Sequence, residues 1–393
     1  MASAPLDQYR SAPPQGSTVD AVVVGAGIAG LSTARELLER GRSITVLERR
    51  DRVGGRLHSP RLGRGDGRVD LGATWFWPGE SRVTALVERL GIAVHDQHLV
   101  GDALYQASTG VQRLDGNPLD VPSWRFTDGA ASLAETLATT LPADVVHLGT
   151  TVEAIRAGGA PATAPAGGGA EVGDVGPLTV HHGDCAVTAE HVVLALPPAL
   201  AVADIDLQPA LPEPVAGLAA ATPVWMGATT KVVARYEQPF WRHRGLSGSA
   251  VSHVGPMREL HDMSGPDGDP AVLFGFAPGL TGAPTPDEAA IRRQLGDLFG
   301  PDGAEPIELL IADWRHERAT SPDGVEALGA YQTYGHELYR RPALGGRLHW
   351  ASTETSPVAP GHIEGALAAA ERAVAAIDTD LADRPRPQGA TTP

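Results

Sequence analysis

Residues 20–56 read DAVVVGAGIAGLSTARELLERGRSITVLERRDRVGGR, and its glycines, acid and arginines have a spacing that can do chemistry. In Gly25-Ala26-Gly27-Ile28-Ala29-Gly30, Gly25 permits a tight turn, Gly27 lets a pyrophosphate touch the main chain, and Gly30 lets a helix pack on a strand. A helix that starts here offers unpaired N–H groups and a positive dipole end to phosphate. Glu48, eighteen residues past Gly30, is placed to accept both hydroxyls of a ribose, which argues against a 2′-phosphate. The chemistry is dinucleotide binding, and NAD and FAD both satisfy it. Further on, Arg50 and Arg56 can donate charge-assisted bonds to a pyrophosphate from the side away from the helix. Gly54 and Gly55 let main chain approach the same ligand.

These residues need a scaffold, and the local pattern supplies one. Residues 20–24 are a short buried-strand run. Ile28, Leu31, Ala34, Leu37 and Leu38 then recur at helical spacing until Gly41 stops the helix, and SITVLE returns to strand. Strand, glycine turn, helix and strand make a βαβ unit with parallel strands. Residues 128–142 read as a helix with Asp128 near its start, 145–155 as a strand pair, and 190–198 as a buried strand stopped by two prolines. The low-complexity run 160–177 reads as a mobile hairpin tip. From about 211 to 340, strand-like segments (TTKVVARY, AVLFGFAP, IELLIADW) mix with a helical one (PDEAAIRRQLGDLF), as in a sheet-and-helix lobe.

The expected fold is α/β: a Rossmann-like nucleotide domain assembled from 17–85, 128–211 and 341–380, with an inserted α+β substrate domain from 86–127 and 212–340. Tails are expected at 1–16 and 381–393. The charge balance of 31 basic against 47 acidic residues, net −16, disfavours nucleic acid and anionic membrane surfaces as partners. No apolar run is long enough to span a bilayer. With Cys185 alone there is no intrachain disulfide, and a cytoplasmic address is the default. His181-His182, followed by Asp184 and Cys185, has the composition of a metal cluster. Adjacent histidines on a strand point to opposite faces, however, so a hairpin surface is expected and no metal.

The stretch Glu48-Arg49-Arg50-Asp51-Arg52-Val53-Gly54-Gly55-Arg56 closely resembles the flavin-containing amine oxidases, the monoamine oxidase-like enzymes, whose pattern runs E-x-R-x-x-x-G-G-R. Further segments are similar in the same order. Asp70 to Trp75, with Gly72, Ala73, Thr74 and Trp75, looks like the loop beneath the flavin ring, and Val152 falls where the family strand meets adenine with its backbone. Pro239-Phe240-Trp241 resembles a motif of the substrate lobe. Ala351-Ser352-Thr353-Glu354-Thr355, then Gly361-His362-Ile363-Glu364-Gly365-Ala366, resemble the closing signature, A-G-T-E-T and G-Y-x-x-G-A. The resemblance implies FAD held throughout turnover, with the threonine–acid segment on pyrophosphate and ribityl and the next helix aimed at the isoalloxazine.

It also implies the reaction: an uncharged amine gives hydride to flavin N5, the imine leaves, and molecular oxygen regenerates FAD with hydrogen peroxide. Lys231 matches the lysine that holds a water against N5, while Tyr331 and His362 match the two rings that guide the amine. There are departures. His362 replaces an aromatic ring with a smaller, titratable one, and Ser352 replaces a glycine near the phosphates. Ala330 stands where some members tether FAD through cysteine, so binding is expected to be non-covalent. The segment before Asp128 is shorter than usual, leaving the entrance open or covered by a second subunit in a homodimer. Two other readings stay open: an FAD enzyme acting on a carbon skeleton, like protoporphyrinogen oxidases and carotenoid desaturases, and a flavin-fold subunit without turnover.

Overall fold

A run of valines without alternation suits a strand buried on both faces, and β1, Thr18–Val24, is buried from Ala21 onward. In the computed structural model, which describes residues 16–63, 67–158, 175–279, 281–282, 284–329 and 331–383, the chain divides into two units. The first comprises 1–53, 137–221 and 332–393, and the second 54–136 and 222–331.

In the first unit α1, Ile28–Glu39, crosses from β1 to β2, Ile44–Leu47, and β1 and β2 pair in parallel. Gly41 ends the turn after α1 with φ +74°, as its position in the pattern predicts. On its other side β1 pairs in parallel with β3, Cys185–Leu194, and β3 with β4, Leu348–Trp350. Leu47, Val24, Leu194 and Trp350 therefore stand side by side, and four parallel strands finish in one row. Antiparallel strands Leu178–His182 and Ala154–Ala157, then Asp206–Gln208, extend one edge, and Val146–His147 adds to the other. The alanine-rich α2, Ile363–Asp383, packs against α1.

Three expectations need correction. Residues 145–155 are not a strand pair: only Val146–His147 and Ala154–Ala157 are strands, because the segment between turns through Gly149 at φ +65°. The helix expected over 128–142 is Ala131–Thr139, and distant groups cap it: Ala130 N–H donates to Asp70 Oδ1 at 2.8 Å and Ala131 N–H to Ser59 Oγ at 2.9 Å. Residues 381–383 belong to the last turn of α2, whereas the rest of that tail, residues 1–15 of the tail expected over 1–16 and residues 160–174 of the hairpin tip expected over 160–177 lie outside the described residues.

The second unit is built on a seven-stranded sheet in the order Glu308–Asp313, Thr229–Tyr236, Ala271–Pro278, Glu259–Asp262, Leu246–Ser252, Asp102–Ala107 and Gly110–Arg113. Period-two alternation gives it two faces. Val232, Ala234, Leu260 and Leu273 form one core with Ile291, Leu295 and Leu298 of helix Glu288–Phe299. The other face carries Lys231, Val233, Phe274, Phe276 and His261, with Val69 and Met263 packed among them. Trp241 of the PFW motif is fully buried, and its Nε1–H donates to Asp262 Oδ2 at 2.8 Å, anchoring the sheet.

Candidate functional site

The row of strand ends in the first unit is where a doubly wound sheet offers its ligand crevice, and two of the sequence motifs lie on it. Gly25 follows β1 with φ +105°, and a Cβ on Gly30 would lie 1.9 Å from the Gly25 carbonyl oxygen, so only glycine lets α1 start this close to the turn. Ile28 and Ala29 form the first turn of α1. Glu48, at the end of β2, is buried. Its Oε2 accepts from the Ala26 N–H at 2.8 Å and its Oε1 from the Arg50 N–H at 2.9 Å. Each oxygen keeps a lone pair for a further donor. The Arg50 guanidinium stands 3.5 Å from Glu48 Oε1.

Beyond β4 the closing motif folds onto itself. The Thr353 hydroxyl donates to the His362 carbonyl and accepts from the Gly361 N–H, both at 2.8 Å, so the loop before α2 is pinned to the threonine–acid segment. Gly361 has φ +90°, and His362 and Ile363 lead into the first turn of α2. Glu354 is fully buried. Ser352 Oγ is buried with no hydrogen-bond partner among the described residues. Val152 is buried in an irregular segment, and its backbone forms no main-chain hydrogen bond among the described residues.

These observations fit a dinucleotide. A cradle that a Cβ would fill, an acid with acceptor capacity left, a buried hydroxyl without a partner among the described residues and the unengaged main chain of Val152 lie on one unit. Gly25, Gly27, Gly30, Glu48, Arg50, Val152 and the 352–363 segment would hold it.

In the second unit two further motifs are joined. The N–H groups of Leu71 and Gly72 donate to the His58 carbonyl at 2.9 and 3.1 Å, and the Ala73 N–H to the Arg56 carbonyl at 3.0 Å. The Gly54-Gly55-Arg56 turn, with φ +97° and +58° at its glycines, thus braces the 70–75 loop. A Cβ on Gly72 would lie 1.9 Å from the Arg56 oxygen, which explains the glycine. Arg56 Nη1 reaches the Trp225 carbonyl at 3.5 Å.

Lys231 is buried with 2% exposure, and its Nζ donates to the Gly72 carbonyl at 2.9 Å and to Thr74 Oγ1. Nζ also stands 4.4 Å from the centre of the Phe274 ring. Burial pulls its pKa from 10.5 to about 7, with Asp70 opposing that fall and Arg125 adding to it. Lys231, Gly72, Thr74 and Trp75 are therefore brought together. Tyr331 is 54% exposed and packs edge-on to Trp225 with ring centres 5.9 Å apart. It belongs to the second unit and His362 to the first. Ala330 lies outside the described residues.

The comparisons decide the family. A family model described as flavin containing amine oxidoreductase matches residues 28–123 and 99–378. The chain belongs to this family. It is 30% identical to AofH of Mycobacterium tuberculosis, which is named as a flavin-containing monoamine oxidase, over 92% of this chain and 96% of that protein. It is 28% identical to the putrescine oxidase of Kocuria rosea over 91% and 95%. Among solved structures, putrescine oxidase matches with a TM-score of 0.76 at 21% identity over 93% of this chain. Cyclohexylamine oxidase from Brevibacterium oxydans matches with a TM-score of 0.76 at 24% over 94%. The fold is accordingly the α/β flavin amine oxidase fold, and the protein is a flavin-dependent oxidoreductase. No helix among the described residues is long and apolar enough to cross a membrane.

Sequence reasoning missed a second polar group in the second unit. The His261 ring meets Trp75 edge-on at 5.1 Å and lies 5.3 Å from Phe274, and its Nδ1 contacts Asp120 Oδ1 at 2.7 Å. Asp120 and His261 lie far apart in the chain, and no motif flags either. The one available signal was the strand ELHD, where a histidine sits on the same alternation as the lysine-bearing face.

Proposed function

We propose that this chain is an oxidase that binds FAD non-covalently and oxidises the C–N bond of an amine to an imine, with molecular oxygen as the final acceptor and hydrogen peroxide as product. FAD supplies the hydride acceptor when bound; everything else is positioning and proton control by the chain. Glu48 favours FAD over a 2′-phosphorylated dinucleotide, and the Ser352–Ile363 segment favours a flavin over NAD. A single cysteine suits a reducing cytoplasm. The names of the relatives, a monoamine oxidase and a putrescine oxidase, agree with an alkylamine substrate.

The observation that carries the reading is Lys231. A fully buried lysine with an amine that releases its proton near pH 7 is expensive to keep in a fold, and such groups mark chemistry. Here Gly72 and Thr74 orient Nζ, which we assign to hold a water and to carry positive charge toward oxygen. Tyr331 and His362 are assigned to guide the amine nitrogen.

The test is anaerobic titration of the yellow protein with a panel of alkylamines while flavin absorbance is followed. Bleaching by amines, then recovery in air with stoichiometric peroxide, is the expected result. Bleaching only by an unsaturated or polycyclic compound would replace this reading with carbon-skeleton oxidation, and protein that takes up no flavin would replace it with a non-catalytic subunit.

A further inference from the structure

We propose that Asp70 and Arg125 are positioning residues for the Lys231 proton: a buried acid and a buried guanidinium, bracketing the 70–75 loop, together decide whether the amine is charged. The inference rests on the oxidase reading, in which that charge serves oxygen, and adds the groups that govern it.

Residue choice singles out this amine. Of the 31 basic residues 30 are arginine, and Lys231 is the one lysine in the chain. A guanidinium keeps its proton at any working pH and an amine can release it, so the one lysine stands where a titratable cation is buried. The loop that holds it has a fixed charge at each end. Asp70 comes two residues before Gly72, whose carbonyl accepts from Nζ, so its Cα lies within about 7 Å of the Gly72 Cα. Arg125, in the strand Trp124–Phe126, lies directly opposite Trp75, the residue after the Thr74 that also accepts from Nζ.

Both charges have unspent capacity. Asp70 is 1% exposed. Its Oδ1 accepts from the Ser59 hydroxyl at 2.6 Å and from the Ala130 N–H at 2.8 Å, while Oδ2 is buried with no hydrogen-bond partner among the described residues. Helix capping thus occupies one oxygen of the acid and leaves the other to act at longer range. Arg125 is 5% exposed. Its Nη1–H donates to the Ser264 carbonyl at 2.8 Å, its Nε is buried without a partner, and it forms no ion pair among the described residues.

With Asp70 and Arg125 opposed, an uncharged Lys231 leaves the enclosed trio neutral, and a charged one leaves it at a net single positive charge, which burial disfavours. Burial accordingly lowers the Lys231 pKa most, Asp70 opposes the fall and Arg125 adds to it. Neighbouring charges are spent or further away. Burial, helped by Arg125, takes His95 to about 4, so this cross-strand partner of Arg125 is neutral at pH 7. Asp262 is held by the Arg242 guanidinium. His261, with Asp120 and Glu259, lies one strand further on, past Ala271–Pro278.

The test uses the one lysine. Protein grown on lysine labelled with carbon-13 at Cε gives a single ε resonance, whose shift against pH in the oxidised, flavin-loaded enzyme reads the amine without turnover. The wild-type midpoint should fall near pH 7. Asp70→Asn keeps an oxygen for Ser59 and Ala130 and removes the charge, and Arg125→Gln keeps a donor for Ser264. The first should lower the midpoint and the second raise it, each by about one pH unit. Air reoxidation of dithionite-reduced enzyme at pH 7 should be about fivefold slower in the first and about twofold faster in the second, following the charged fraction of the amine. Ser59→Ala weakens the helix cap and leaves every charge, so it should lower the unfolding temperature with the midpoint unmoved. Midpoints that both stay in place, or that move the same way, overturn the inference. Should Asp70→Asn fail to fold, the direction of the Arg125→Gln shift decides alone. Opposite shifts that reoxidation ignores uphold the charge assignment and overturn the oxygen role given to Lys231.

Discussion

Replacing Lys231 with methionine should make the protein more stable at neutral pH and less stable at high pH. In the folded chain burial holds the amine's pKa at about 7, against 10.5 when unfolded. That gap corresponds to roughly 5 kcal/mol, since one pKa unit is about 1.4 kcal/mol. The sign follows from proton counting. Between pH 7 and 10.5 the unfolded lysine keeps its proton and the folded one does not, so wild-type stability rises with pH across this window and the full penalty stands below it. Methionine matches the length of the stem and carries no charge, so the penalty vanishes. Against this, the Gly72 carbonyl and Thr74 hydroxyl lose their donor, at roughly 1–2 kcal/mol each.

Lys231→Met should therefore gain about 1–3 kcal/mol at pH 7, lose about 1.4 kcal/mol of that advantage per pH unit, and fall below wild type beyond about pH 8 to 9. Urea unfolding of both proteins from pH 6.5 to 10 measures the crossing. A difference that stays constant with pH, or a variant weaker throughout, would refute the burial argument. The same variant should reoxidise about 100-fold more slowly in air, the usual effect of removing one preorganised charged donor. Its higher stability and lower activity would then share one cause.

The other predictions concern the first unit. Gly30→Ala places a Cβ 1.9 Å from the Gly25 oxygen, so the turn must open; the protein should purify with little flavin, read as the flavin-to-polypeptide ratio after denaturation. Ser352→Ala removes a buried hydroxyl that has no partner among the described residues. The flavin-free protein should gain about 1 kcal/mol while FAD binds several-fold more weakly, by calorimetry, if that hydroxyl serves the cofactor. Acid should destabilise the fold through His349, which burial and the neighbouring His191 hold at about 3, against 6.5 unfolded. Its contribution is complete above pH 6.5 and is lost on the way down, about 2 kcal/mol by pH 5. His349→Gln should flatten that part of the unfolding profile.

The first unit was largely legible because its signals are local. A glycine turn between a valine strand and an amphipathic helix, and an acid at the next strand end, dictate β1, α1 and β2 without help from distant residues. Where the structure departs from the expected bounds, at 145–155 and 128–142, the deciding groups are distant or conformational: the turn at Gly149, and the Asp70 and Ser59 side chains that cap the helix at Ala131. A single strand of sequence carries no trace of such partners. The second unit shows the same limit for function.

Lys231 could be named because a family motif surrounds it, whereas Asp120 and His261 could not, since their pairing exists only after Glu259–Asp262 aligns with Ala271–Pro278 and Leu246–Ser252. Polar groups are buried on both faces of the sheet, each with its own partners. On the face packed against the helix Glu288–Phe299, Asp262 is held by Trp241 Nε1–H and the Arg242 guanidinium. On the face bearing Phe274 and Phe276, Gly72 and Thr74 hold Lys231 and Asp120 holds His261. A change that unpairs either group should be felt at the other through the Phe274 ring they share. Asp120→Asn should accordingly shift the pH midpoint of Lys231, read from the pH dependence of reoxidation, while Gln294→Ala on the helix-facing side should leave it in place.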